Sequence, residues 1–512
     1  MLTAAAVLLL ALAFQGSRGI WEPDEGFYTN VTLGMLHSGD WLLPRLNGAP
    51  FLDKPPLTYW GMAAGMVLLG ENEWGARLFH ALWFVIAAFA AGAAARCFWG
   101  PRSGRLASLV FATSLAPLVA GNILTPDMPL TAMGTLLFLF YVKAQGIGDR
   151  QAEAASPDRR WAWWIAAGAA AGLGLLAKGP ALIVFAAPLA VHAVIGSTAA
   201  RGDRRTAWAG LFTLGALAAG IGLSWYAVLF HSVPGAFRYV LDNQVTGRLL
   251  TATYARNAGA ENSLLYYPPV LIAGALPWIF LWPWIGRAAA RVILRGPREM
   301  TRFLAAPGPG PLLALATAIP LGILCFASSK LPLYALPLFV PLAILEARAL
   351  EHLVETARAP WRRMLHPAAA ALLVVALISA KGAGARITGD NDTRSLAHSL
   401  GAALAHITGP VKVISVDTKR NALPFYGFSN FLWVSSKTDP YPFFVEPTSL
   451  RDEVDEATRS VEGHAFLCTR RSGEKLARDL RERGMDCVTR PLTGDEVVLV
   501  CPPGHPLRAS AS

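Results

Sequence analysis

Long apolar stretches recur through the first 380 residues of this 512-residue chain. They fall near 2–19, 77–97, 106–121, 127–146, 161–177, 180–197, 207–230, 265–285, 310–327, 331–349 and 365–381. A helix needs about 17 to 25 mostly apolar residues to cross a bilayer, so the chain reads as a mainly α, polytopic membrane protein with about eleven transmembrane helices. Its residues are 54% hydrophobic and 15% charged, more apolar surface than a soluble fold can hide. The first stretch, Met1 to Gly19, resembles a signal peptide. It lacks a basic leader and a small-residue cleavage pattern before Trp21, so a first membrane helix is expected. Ala/Gly-rich spans such as 161–177 suit close helix packing in lipid.

The loops alternate in charge. Arg96, Arg102 and Arg105 share one turn, Arg150, Arg159 and Arg160 the next, and Arg201, Arg204 and Arg205 a third. Five arginines between Arg287 and Arg302, and four between Arg348 and Arg363, mark two more. By the positive-inside rule these turns face the cytoplasm. The same placement accounts for the net charge of +11 without nucleic acid. The 20–76 loop, the short turns at 121–127, 178–179 and 328–330, the 231–264 loop and the chain beyond 382 then face outward. Within 20–76, TNVTLGMLHSG reads as a short amphipathic helix lying along the membrane surface. In the tail, VKVISV and EVVLVC read as strands and SGEKLARDLRERG as a helix ending at Gly484, so a small α/β domain over 385–512 is expected to follow a membrane domain over 1–384. Cys468, Cys487 and Cys501 share the tail. One disulfide there in an oxidising compartment and buried free thiols are equal alternatives.

The unusual residues gather in the outward loops. Asp24 and Glu25 follow Pro23, and Asp127 stands at the outer start of another span in LTPDMPL. Each acid on its own suits a helix cap. Two carboxylates at one depth beside different helices also suit a pair, one as general base toward an acceptor and one orienting it or stabilising positive charge on a sugar. Lys54, in LDKPPLTYW, Lys178, in LLAKGPAL, and Lys330, in SSKLPLYALP, are lone cations at the same face. Each alone is explained by snorkelling to the headgroups. Together with the acids they suit an anionic headgroup at the lipid–water boundary, and a phosphate on a lipid tail is the obvious candidate. In 231–264, Arg238, Arg248, Arg256, Tyr254, Asn243 and Gln244 can read sugar hydroxyls or phosphate, or only solvate a loop. No P-loop, GxGxxG, HExxH or GxSxG stands in the context it requires, which argues against soluble nucleotide chemistry. An activated substrate would arrive through the membrane.

Taken together, W-x-P-D-E-x-x-Y from Trp21 to Tyr28, SGDW-x-x-P and DKPP-x-x-YW resemble the aminoarabinose lipid A transferases and their wider relatives among the GT-C glycosyltransferases, including the protein O-mannosyltransferases. Trp74-Gly-Ala-Arg77 is similar to the family's GxR entry to the second span, and Asp127 to its second acid. AKGP at 177–180, LLYYPPVLIAGALPWIFLWP and SSKLPLYALPLFVPLAIL are similar to later family segments. The resemblance spans residues 20–350 and implies a polyprenyl-phosphate-linked sugar whose sugar moves to an acceptor. By that resemblance Asp24 is the catalytic acid of the first loop, with Glu25 and Asp127 beside it. Lys54 contacts the lipid phosphate, and Tyr28, Tyr59, Lys178, Lys330 and Tyr334 line the donor site. The family's DExRY reads Asp24-Glu25-Gly26-Phe27-Tyr28 here, so its arginine is absent, and Arg248 is the candidate substitute. The loop histidine of EHxxRF is also missing from LDNQVTGRL.

The expectation is a bacterial inner-membrane, undecaprenyl-phosphate-type glycosyltransferase with its active site and tail in the periplasm. The acceptor would be lipid A, another glycolipid or a protein. No cofactor is called for. A divalent metal is compatible with the chemistry, but no residue pattern indicates one. A polyprenyl-lipid or sugar transporter is the alternative. It calls for inverted repeats and broken midplane helices, whereas no internal repeat is visible and the polar residues gather at one face.

Overall fold

The computed structural model describes residues 1–148, 157–198, 204–247, 262–356, 360–387, 389–436, 444–445 and 448–503. Two compact units emerge. One comprises Met1–Ala13, Asp53–Thr58 and Leu78–Gly382, and the other Phe14–Leu52, Tyr59–Arg77 and Ala383–Ser512.

The first unit is helical. Among the described residues, the helical runs Glu73–Trp99, Arg159–Gly196, Ala207–Ser232, Pro309–Phe326 and Pro332–Thr356 are long and apolar enough to cross a bilayer. Shorter apolar helices occupy Leu2–Leu12, Leu57–Leu69 and Ala368–Gly384. The chain is a multi-pass membrane protein. Small residues set the helix spacing, as in other bundles in lipid. A Cβ on Gly92 would lie 2.0 Å from the Ser108 hydroxyl, and one on Gly104 would lie 2.8 Å from the Gly92 carbonyl oxygen, so helices Glu73–Trp99 and Pro101–Thr113 touch backbone to backbone.

Three expected spans differ in the structure. The span over 2–19 is helical only across Leu2–Leu12. The span over 106–121 is two helices, Pro101–Thr113 and Leu115–Ala120, divided at extended Ser114. The span over 265–285 breaks between Tyr267–Gly274 and Trp278–Ile293 with a bend of 104°. The last two breaks serve each other. Leu115 N donates to Leu276 O at 3.0 Å, and Trp278 Nε1 donates to Thr113 Oγ1 at 2.9 Å. Backbone groups freed inside a hydrocarbon slab need protein partners, and paired breaks supply them.

The second unit contains a five-stranded mixed sheet. Strands β1 (Arg45–Leu46) and β2 (Ala49–Pro50) form a small hairpin in the 20–76 loop. Strands β3 (Val411–Val416), β4 (Phe431–Val434), β5 (Gly463–Thr469), β6 (Val488–Pro491) and β7 (Glu496–Cys501) form the sheet, in the order β4-β3-β5-β7-β6. β3 runs parallel to β4 and β5, and β7 antiparallel to β5 and β6. Alternation along β3 sends Val413 to one apolar layer and Ile414 and Val416 to the other, so both faces are covered. The strands expected at VKVISV and EVVLVC are β3 and β7, and the expected helix is Arg470–Glu482 with Gly484 in the left-handed region at φ +81°. This small C-terminal α/β region behind a mainly helical membrane part is the expected fold class.

Cys487 and Cys501 form a disulfide, while Cys468 is buried and free. The bridge closes a short loop across 14 positions between the approach to β6 and the end of β7. Cys487→Ala/Cys501→Ala in the full chain is expected to cost about 3 kcal/mol by loop-closure entropy. Chemical denaturation followed at the sheet checks this.

The helix expected to lie along the membrane surface is instead a buried one. It runs from Asp24 to Ser38 and hides Glu25, Gly26, Thr29, Asn30, Val31, Thr32, Leu33 and Met35. Its polar positions tolerate burial because each finds a partner nearby. Thr29 and Thr32 hydroxyls donate to carbonyls one turn back, and Asn30 Nδ2 donates to the Asn47 side chain and to Asn421 O.

Candidate active site

In the first unit, Asp127 opens helix Asp127–Gln145 and Lys178 closes helix Pro157–Lys178. Lys178 Nζ lies 2.5 Å from Asp127 Oδ1 and 4.3 Å from the centre of the Tyr334 ring. The side chains of Lys178 and Asp127 are only 11% and 10% exposed. The ammonium is thus held on two sides, by a carboxylate and by an aromatic face, in a place where water screens little. The chain reverses after Lys178 through Gly179 at φ +59°. A Cβ there would lie 3.0 Å from the Tyr226 hydroxyl and 3.9 Å from the Pro55 ring, so the Lys178 turn sits against the Lys54-Pro55 turn. Lys54 pairs with the Asp53 carboxylate beside it, and its side chain is 10% exposed. This unit therefore gathers two cations, two carboxylates and two tyrosines from five separate stretches of chain.

Lys330 has a different setting. It is buried, and its Nζ donates to Ala327 O at 2.6 Å, at the end of helix Pro309–Phe326. An ammonium on a helix's last carbonyls is a C-terminal cap.

In the second unit, Asp24 is the exposed first residue of its helix. Glu25, the next residue, points the other way and is 1% exposed. Its carboxylate takes Arg18 through both oxygens, at 2.7 and 2.6 Å, Arg77 at 2.9 Å and Trp21 N at 2.9 Å. The other terminal N–H groups of Arg77 donate to Gln15 O, Arg18 O and Gly19 O. Burial alone would raise the Glu25 pKa, but the two guanidiniums and the hydrogen bonds win and hold it well below the carboxylate range. Tyr28 and Tyr59 rings lie 5.8 Å apart, with Tyr59 buried among Val31, Met35 and Leu46.

Glu22 shows the opposite electrostatics two residues before Asp24. Burial dominates and pushes its pKa up to about 8, against the hydrogen bond from Ala422 N and the charge of Arg420, with the Glu25 charge adding to the rise. A carboxyl raised above its unfolded value contributes stability at low pH and loses it as pH rises through the folded value. The stability contributed at Glu22 is thus expected to be lost as pH climbs from the ordinary carboxylate range through about 8, and Glu22→Gln to flatten that dependence. Hydrogen exchange of residues 16–30 across this range is the check.

Arg18 was not among the expected site residues, and its signal was available: a lone arginine ending an apolar run and followed by acids. Arg248 lies outside the described residues, as do Tyr254 and Arg256. Arg238 is exposed and pairs with Asp242 at 3.4 Å. Among the described residues, no group of three or more His, Cys, Asp or Glu side chains converges as metal ligands would.

The family model described as dolichyl-phosphate-mannose-protein mannosyltransferase matches residues 53–226. The undecaprenyl phosphate-alpha-4-amino-4-deoxy-L-arabinose arabinosyl transferase of Pseudomonas savastanoi pv. phaseolicola is 31% identical over 363 residues, covering 69% of this chain and 61% of that relative. The enzyme of the same name from Edwardsiella ictaluri is 31% identical over 66% of this chain and 56% of its own length. The chain therefore spans about three fifths of the curated relatives it matches. The crystal structure of ArnT from Cupriavidus metallidurans bound to undecaprenyl phosphate superposes with a TM-score of 0.76 at 21% identity, over 98% of this chain and 97% of that one. The two share one fold, the GT-C fold that the motifs implied.

Proposed function

We propose that this protein is an integral-membrane glycosyltransferase that moves a sugar from a polyprenyl-phosphate donor of the undecaprenyl type to an envelope acceptor, either lipid A, another glycolipid or a protein. The observation that carries the reading is the Asp127–Lys178–Tyr334 group packed against the Lys54-Pro55 turn. It stands in a fold shared with a transferase whose crystal structure holds undecaprenyl phosphate.

Lys54 and Lys178 are the cations for the donor phosphate. Each now has a carboxylate counter-ion, Asp53 or Asp127, which orients it until the phosphate arrives. Asp127 then positions Lys178, and Tyr334 fixes the other side of the ammonium. In the reaction the bond from the sugar's anomeric carbon to the phosphate oxygen breaks, and the phosphate leaves with the electron pair. The lysines stabilise the charge it gains. The acceptor oxygen forms the new bond to that carbon and gives its proton to Asp24, an exposed carboxylate in the first outer loop. Glu25 is locked between two arginines, which suits a structural ion rather than a base. Tyr59 and Lys330 are packing and capping residues in this scheme.

The protein sits in a bacterial inner membrane with the 20–76 loop and tail in the periplasm. The arginine-rich turns at the opposite side support this, and so does the Cys487–Cys501 disulfide, since such bonds persist in oxidising compartments. The test uses purified protein in liposomes with undecaprenyl-phosphate-linked 4-amino-4-deoxy-L-arabinose and hexoses. Release of undecaprenyl phosphate with one of these donors is expected, and Asp24→Asn is expected to abolish it at normal expression. Full turnover in that variant would remove the base from Asp24. Movement of intact labelled lipid across the membrane without release would favour a transporter.

A further inference from the structure

The backbone of residues 16–22, immediately before Asp24, belongs to no helix or sheet of its own. Several of its polar groups are bonded almost 400 positions away, while Arg77 and Glu25 hold others from within the loop. Ile20 N donates to the Tyr426 hydroxyl at 2.8 Å, and Ile20 O accepts from Thr393 N at 3.0 Å. Glu22 N donates to Asn391 O at 3.0 Å, and Ala422 N donates to Glu22 Oε1 at 2.6 Å. The loop's far end is caught by the same side chains. Tyr426 donates to Glu73 Oε1 at 2.9 Å, and Arg394 Nε donates to that oxygen at 2.8 Å. Arg394 also reaches back to Gly16 O at 3.0 Å.

We propose that the C-terminal α/β segment is a clasp that sets the geometry of the first outer loop, with Tyr426 and Arg394 as positioning residues for Asp24. The inference rests on the base role proposed for Asp24. One phenol and one guanidinium bind the loop's start and its end at once, so they fix the distance between the two strands of chain that carry the acid. Arg77 and Glu25 hold Arg18 O, Gly19 O and Trp21 N, and the tail holds Ile20 and Glu22. Without the clasp, Ile20 and Glu22 would present unpaired backbone donors and acceptors, and this stretch would sample more backbone states. Asp24, two residues on, would move with them. A displacement of an ångström at a catalytic group costs far more in turnover than in binding. The tail thus acts on the reaction without touching substrate, and its effect appears in kcat rather than in the affinity for the lipid.

The test is the full-length Tyr426→Phe/Arg394→Met variant in liposomes beside the parent chain. Hydrogen exchange over residues 16–30 is expected to speed up about tenfold or more, while strands β3, β5 and β7 keep their protection. Turnover is expected to fall about tenfold or more with the donor KM unchanged. Binding of undecaprenyl phosphate alone is expected to stay at the parent level. Unchanged exchange at 16–30 would overturn the clasp, as would equal loss of protection in the strands, which would mean that the domain had merely unfolded. Faster loop exchange with unchanged kcat would overturn the positioning role. If the parent chain turned over no donor, the proposed reaction would fall, and the exchange comparison would still decide whether the tail holds the loop.

Discussion

Arg77→Leu is expected to destabilise the protein by about 3–5 kcal/mol, the usual result of removing one partner from a buried ion pair. Arg77 and Glu25 are each 1% exposed, so no water can replace the lost donor. The damage is wider than one pair, because the same guanidinium satisfies the carbonyls of Gln15, Arg18 and Gly19. Gln15 O and Arg18 O would lose that donor, while Gly19 O would keep only Arg18 Nη1. Arg77→Lys should recover little of the loss, since an ammonium cannot span four acceptors spread across a planar fork. Glu25→Gln should also be costly, as it strands two cations. The measurement is the unfolding midpoint of the full chain in detergent, with exchange over residues 14–52 as the local readout. An unchanged midpoint for Arg77→Leu would mean that the charge cluster contributes nothing to the fold.

The second large effect concerns Lys178 and Asp127. Lys178→Met is expected to lower turnover about 100-fold or more, the usual loss when a group that stabilises developing charge is removed. It should also destabilise the protein, because Asp127 would keep a buried charge without its counter-ion. The double variant Asp127→Asn/Lys178→Met separates the two consequences. Neutralising both partners should restore most of the stability and none of the turnover. Recovery of turnover in the double variant would show that Lys178 serves only to neutralise Asp127. Undecaprenyl phosphate binding by the single and double variants completes the cycle, with weaker binding expected in both.

Much of this protein could be read from residue order. The apolar runs give a helical membrane protein because a bilayer accepts backbone only when its own hydrogen bonds are closed. Strands β3 and β7 and the helix before Gly484 follow from local periodicity and a glycine stop. Lys178, Asp127 and Lys54 stood out because charge next to apolar spans is costly and so must be paired or used.

What the tertiary structure decided are the pairings. The sequence could not join Asp127 to Lys178 across 51 positions, nor Ile20 to Tyr426 across 406. It offered Glu25 and Asp24 as equals, and only packing turned one into a buried ion clamped by Arg18 and Arg77 and left the other exposed. The amphipathic pattern over 29–39 suggested a helix on the lipid surface. The fold buried it, because Asn421 and the threonines' own carbonyls were there to receive its polar atoms. Local sequence fixes which groups need partners, since that follows from charge, polarity and period. Which partner each group finds depends on the path of the whole chain, and that path alone separates an exposed acid from a buried, ion-paired one.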